Sequence, residues 1–198
     1  MSGAELARDY LVATTASMGP SAFAVDSGWL SPDTTASTGP LDDGTFVVTV
    51  SHETVGRLAR GAVFAERGCG FNTIAHELVH VYHGQRNPRP DFDGMDDLGW
   101  FVEGLAVYAS GQLERAHRTA ARDAIKAGKA PTRLADAWSG PFRYGVSGSM
   151  VAFVDKRYGR QTIRMLLAVT SNEEALKLLH TSEGEFIDAW KGYVAESP

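Results

Sequence analysis

One cysteine, Cys69, stands in a chain of 198 residues. A disulfide framework needs pairs and a multi-cysteine zinc site needs several thiolates, so both are excluded. No apolar run reaches the ~20 residues that a membrane-spanning helix requires. Basic charge is not in surplus either: 19 Lys+Arg stand against 24 Asp+Glu, a net charge of -5. Such a surface offers little to displace counterions from phosphates and argues against a nucleic-acid partner. The start of the chain has no basic region ahead of an apolar one, since Glu5, Arg8 and Asp9 precede a short threonine-rich stretch at 11–16. It does not read as a secretory signal, and a cytoplasmic protein is the expectation unless the chain is trimmed. Histidine is scarce, six in all, and any metal must be held by histidine and carboxylate.

What is present is ordinary for a globular protein, with 43% hydrophobic and 22% charged residues. The length suits one domain, 1–198, with a single core, and a monomer is expected. Residues 4–16 read as a short helix, and residues 17–44, rich in Gly, Ser, Thr, Pro and Asp, as loop with an extended piece at 22–25. Thr45–Val50 is β-branched and aromatic and reads as a strand; 53–64 has helical spacing. Asn72 as N-cap and Gly84 as stop bound a helix over 73–83. A loop at 85–97 precedes a helix from about Trp100 to Leu113, running on towards Ala127 before Gly128. Pro131 and Pro141 bracket a segment with Trp138. From Arg143 onward the pattern is helical, with breaks at Gly159, near Thr170–Ser171 and near Gly184. The expected class is α+β and predominantly α-helical: a loop-rich segment 1–44, a strand-and-helix part 45–84 forming a small N-terminal β-sheet, and a helical C-terminal half, 97–198.

Residues 76–80 read His-Glu-Leu-Val-His. Four residues apart on a helix, His76 and His80 project from one face one turn apart. Two imidazoles so placed can reach one Zn2+ ion with bonds of about 2 Å, while Glu77 lies beside the metal without ligating it. The histidine and glutamate content would produce this spacing by chance about 0.01 times in a chain of this length. A catalytic zinc needs a third protein ligand and an open position. His83 lies about 10 Å further along the helix axis than His76, too far to share one ion with both histidines, and is expected to face the substrate, support a ligand or cap the helix. The next helix offers Glu103, an isolated acid within Trp100–Tyr108, where a buried carboxylate needs a partner. Gly104 beside it allows close helix approach.

HELVH followed by WFVEGLAVY resembles the gluzincins, the thermolysin-like and aminopeptidase-N-like zinc peptidases, and in particular small bacterial peptidase-MA-like proteins. The run Tyr144…Phe153-Val154-Asp155-Lys156-Arg157-Tyr158-Gly159 and the tail Gly184-Glu185-Phe186…Trp190 resemble that group as well, so the likeness spans about 45–195. It implies a zincin-like metallopeptidase fold, His76, His80 and Glu103 as zinc ligands, and Glu77 as general base for peptide hydrolysis. It also implies a tyrosine that steadies the oxyanion, for which Tyr144 is the best match, with Arg143, Tyr82 and His83 as other candidates near the substrate. The strand at 45–50 would join a small sheet flanking the cleft, its edge open to an extended peptide. The Gly-x-Met-Glu-Asn motif that reads a substrate amino terminus is absent, which favours an endopeptidase over an aminopeptidase. Peptide or protein is then the expected substrate. Two other readings stand beside it: a non-proteolytic zinc-binding regulator or scaffold of the same fold, and an amide hydrolase acting on a small specialised metabolite. Asp91, Asp93, Asp96 and Asp97 do not make a calcium loop, because the twelfth position counted from Asp91 is Val102. Cys69 reads as a small buried thiol, and Trp29, Trp138 and Trp190 as core. His52, His117 and His180 read as unrelated to the site.

Overall fold

Short helices joined by tight turns carry the chain from Cys69 onward. The computed structural model describes residues 69–197, preceded by three short strands given by their backbone, β1 (Phe23–Gly28), β2 (Ala36–Pro40) and β3 (Phe46–Ser51). β3 runs between the other two, parallel to β1 and antiparallel to β2, so its own edges are already paired. The expected helices at 4–16 and 53–64, together with Trp29 and His52, lie outside the described residues.

Eight helices follow: α1 (Cys69–Gly84), α2 (Gly99–Ala109), α3 (Gln112–Ala116), α4 (Ala120–Lys126), α5 (Arg143–Tyr158), α6 (Arg160–Leu166), α7 (Asn172–Leu179) and α8 (Glu183–Glu196). Single 3-10 turns at Asp96–Leu98 and Leu134–Asp136 link them. The expected α+β class with a small N-terminal β-sheet is corrected by this arrangement. A sheet defines a fold class when one of its faces forms a layer of the core. The described core is built from helices and their turns alone, and no strand occurs between 69 and 197. The described body is α-helical.

Helix boundaries shift in instructive places. α1 begins at Cys69, four residues earlier than expected, so Asn72 lies within its first turn rather than capping it. The long helix expected from Trp100 towards Ala127 is three helices. The first break is at Gly111, whose φ of 79° is left-handed and open to glycine at little cost. The break expected near Gly184 falls at His180–Ser182. There Ser182 accepts from the Glu185 backbone amide while the Glu185 carboxylate accepts from the Ser182 backbone, a capping box that starts α8.

α2 organises the interior. Trp100, Phe101, Val102, Leu105, Ala106, Val107 and Ala109 are all buried, so this helix is apolar nearly all round and surrounded by protein. α5 lies closest, and small residues make that approach possible. A Cβ at Gly104 would stand 2.5 Å from the Ser147 carbonyl oxygen, and one at Gly148 would stand 2.8 Å from a methyl of Val107. α8 closes the far side with Phe186 and Trp190, both fully buried. The Trp190 indole donates to Ser149 Oγ at 3.0 Å. The Trp100 indole donates to Asn172 Oδ1 at 2.7 Å, and the Asn172 amide donates to the Asp97 carbonyl at the same distance. Asp97 therefore serves as an anchor between the loop and α7. α1 packs on the opposite flank of α2, contributing Val79 and Tyr82 to the core.

The Gly104 contact is with backbone, which cannot swing aside. Gly104→Ala is expected to cost about 1–3 kcal/mol by overpacking, read as a lower urea midpoint. An unchanged midpoint would show that α2 and α5 are free to separate.

Candidate metal centre

α1 supplies two imidazoles because positions 76 and 80 share a face, while Ala75, Val79 and Val81 turn other sides of the helix into the protein. α2 supplies one carboxylate. His76 Nε2 and His80 Nε2 lie 3.1 Å apart. Glu103 Oε2 stands 3.3 Å from the first and 3.6 Å from the second. An ion bound tetrahedrally with bonds of 2.0–2.1 Å separates its ligand atoms by about 3.3 Å. The three observed spacings bracket that value. His76, His80 and Glu103 form a group that could hold a metal ion. The predicted trio is brought together from two helices separated by the 85–98 loop.

The electrostatics fit a cation. Burial on its own would raise the Glu103 carboxyl, but hydrogen bonds and charge from His76 and His80 overcome it and hold the group far below the usual carboxylate range. Glu103 is thus an anion facing two imidazoles. Glu77 behaves oppositely. Only 7% exposed, its carboxyl is pushed up to about 7 by burial, with the Glu103 charge adding to the rise and His76 opposing it. Two carboxyls on adjoining helices are driven apart in acidity by their surroundings, one fixed as anion and one poised to exchange a proton near neutrality.

The remaining sequence candidates lie elsewhere. His83 is fully buried, and among the described residues neither of its ring nitrogens has a hydrogen-bond partner. Its ring sits 4.7 Å from that of Phe92 and 5.5 Å from that of Phe101, outside the metal-binding group. Burial, reinforced by His80, pushes it down to about 3; the Leu167 carbonyl opposes this weakly and already accepts from Asn87 at 2.8 Å. Tyr82 is buried beneath the Arg86 guanidinium, which lies 3.7 Å from the ring centre. Tyr144 opens α5, stacked on His117 at 5.0 Å and edge-on to Trp138 at 4.8 Å. The Arg143 guanidinium sits over the same two rings, 5.0 Å from Tyr144 and 5.5 Å from Trp138. Among the described contacts, none joins Tyr144 or Arg143 to the three clustered side chains. One contact had no signal in the sequence: Gln112 Oε1 lies 3.0 Å from His76 Nδ1.

In comparisons with protein-family models, curated proteins and solved structures, nothing matches this chain.

His83 gives a pH-dependent test. A histidine near 6.5 in the unfolded chain and near 3 in the folded protein makes the unfolded state bind more protons in between, so stability falls as pH drops below 6.5. In metal-free protein held in chelator, His83→Leu is expected to be at least as stable as wild type at pH 7. It should gain on wild type by up to about 1.4 kcal/mol for each pH unit below 6.5. Urea midpoints at pH 7 and pH 5 measure this, and a pH-independent difference would mean that His83 is not held neutral.

Proposed function

We propose that this chain is a zinc-dependent peptidase in which His76, His80 and Glu103 hold the ion and Glu77 acts as general base. The observation that carries the reading is the convergence of two Nε2 atoms and one carboxylate oxygen at tetrahedral-edge spacing, with the buried Glu77 carboxyl following His76 on α1. Two imidazoles and a carboxylate suit zinc, which binds nitrogen and oxygen donors and takes four ligands. Three such residues among the described positions leave room for a fourth ligand from solvent, as in catalytic sites. A structural site has no use for a base at Glu77, which favours catalysis over a scaffold.

Zinc at this position supplies Lewis acidity, which makes a water more acidic and a carbonyl more electrophilic. Glu77 accepts the proton of the attacking water and delivers it to the leaving amide nitrogen. Its acidity near neutrality, set by burial, suits both transfers. Glu103 is fixed as an anion, so it neutralises charge without competing for that proton. Tyr144, at the start of the helix that packs beside Glu103, is proposed to steady the oxyanion, its hydroxyl released from the His117 stack when substrate binds. Peptide substrates, cut internally, are the proposed class.

The test compares wild type with Glu77→Gln on a peptide library, with and without chelator. Wild type should cleave, chelator should stop cleavage, and E77Q should bind zinc one-to-one while losing activity by about 100-fold or more. Full activity in E77Q sinks the general-base role. No cleavage by zinc-loaded wild type at high enzyme concentration sinks the peptidase reading and leaves only metal binding.

A further inference from the structure

We infer that Gln112 is the positioning residue of the metal centre, and that it acts by fixing the proton of His76 on Nδ1 so that Nε2 presents a bare lone pair. The inference rests on the metal-binding reading of His76, His80 and Glu103, and deepens it by naming what orients the first ligand. An imidazole can ligate through either nitrogen, and which one is free depends on where its single proton sits. The Gln112 amide has one acceptor and one donor end, and their assignment is set by what lies on each side. Gln112 Nε2 faces the Asn72 carbonyl at 3.5 Å, and a carbonyl can only accept. The amide oxygen must then face His76, 3.0 Å from Nδ1, and an oxygen there can only accept. Nδ1 therefore carries a proton, and Nε2 is the nitrogen turned towards Glu103 and His80.

The chain is built to bring Gln112 there. α2 carries Glu103 and ends at Ala109, and the left-handed Gly111 then reverses the direction so that the first residue of α3 faces back onto α1. A single segment thus holds His76 from two sides, Glu103 at Nε2 and Gln112 at Nδ1. His80 has no counterpart: its Nδ1 is buried with no hydrogen-bond partner. The two histidines are therefore unequal, His76 ordered in advance and His80 not.

The test uses two variants and two readouts. In metal-free wild type, 15N NMR of the imidazoles should show His76 as the Nδ1-protonated tautomer. Gln112→Leu should release it to the mixed state of a free imidazole, and Gln112→Glu, which retains an acceptor, should keep it. Zinc affinity should fall about 10- to 100-fold in Q112L, the usual effect of losing such a partner, and remain within about threefold of wild type or improve in Q112E. Circular dichroism confirms that both variants are folded. Should wild-type His76 carry its proton on Nε2, or Q112L leave tautomer and zinc affinity unchanged, Gln112 has no positioning role. Failure of wild type to bind zinc would overturn the metal reading by itself, and the tautomer comparison in metal-free protein would still decide whether Gln112 orients His76.

Discussion

Everything about this site depends on one carboxylate standing on the helix that the core surrounds. α2 is buried along most of its length, and Glu103 is its only ionisable residue besides Tyr108. An anion on such a helix is costly unless something compensates it. The compensation comes from α1, which presents two imidazole nitrogens within 3.6 Å of one carboxylate oxygen. The two helices are thus registered by a polar contact at one point, while apolar packing holds them everywhere else. Gly104 belongs to the same constraint. It lets α5 approach the back of α2 to contact distance, which fixes α2 and the carboxylate it bears.

The same burial does opposite things to two glutamates, and that contrast is where the chemistry resides. Glu103 has two imidazoles to favour its charged form, whereas Glu77 has mainly desolvation, and a neighbouring anion adds to its rise. One helix turn and one helix-helix contact thus separate a permanent anion from a group able to trade a proton near pH 7. Neither property follows from residue type; both follow from which groups the fold places beside each carboxyl.

The cluster itself was legible in the sequence, since a four-residue spacing on one helix and an isolated acid on an apolar helix are each statements about local geometry. The rise per residue alone set His83 apart from His76 and His80, and its ring lies outside the group they form with Glu103. The start of α5 at Arg143 and its end at Gly159 were equally readable from periodicity and a glycine stop. The fold class was not. A β-branched run such as 45–50 announces a strand, but whether strands form a layer of the core depends on distant packing that no local pattern encodes. The long helix expected across 100–127 failed for a related reason: its apolar spacing continues through Gly111, and only the tertiary need to turn α3 back towards α1 selects the left-handed conformation there. Gln112 was invisible because a glutamine at a helix start has no signature, and it acquires a role only through a contact 36 positions away.

The walls around the cluster differ in kind. On the His76 side the wall is polar, made by Gln112. On the His80 side it is aromatic: the Phe92 ring lies 6.1 Å from that of His80 and 4.7 Å from that of His83. Phe92 holds a φ of 61°, a left-handed conformation costing a non-glycine residue about 1–2 kcal/mol. The loop carrying it is braced by Asn87, bonded to the Leu167 and Val169 carbonyls, and by Arg89, bonded to the carbonyls of Asp93 and Gly94. Such strain persists only where the surroundings enforce it, and here it closes the deep end of α1 over two histidines. The imidazole side chains are only 10% and 9% exposed, against 27% for Glu103. Of the three side chains, the carboxylate is thus the one most open to solvent.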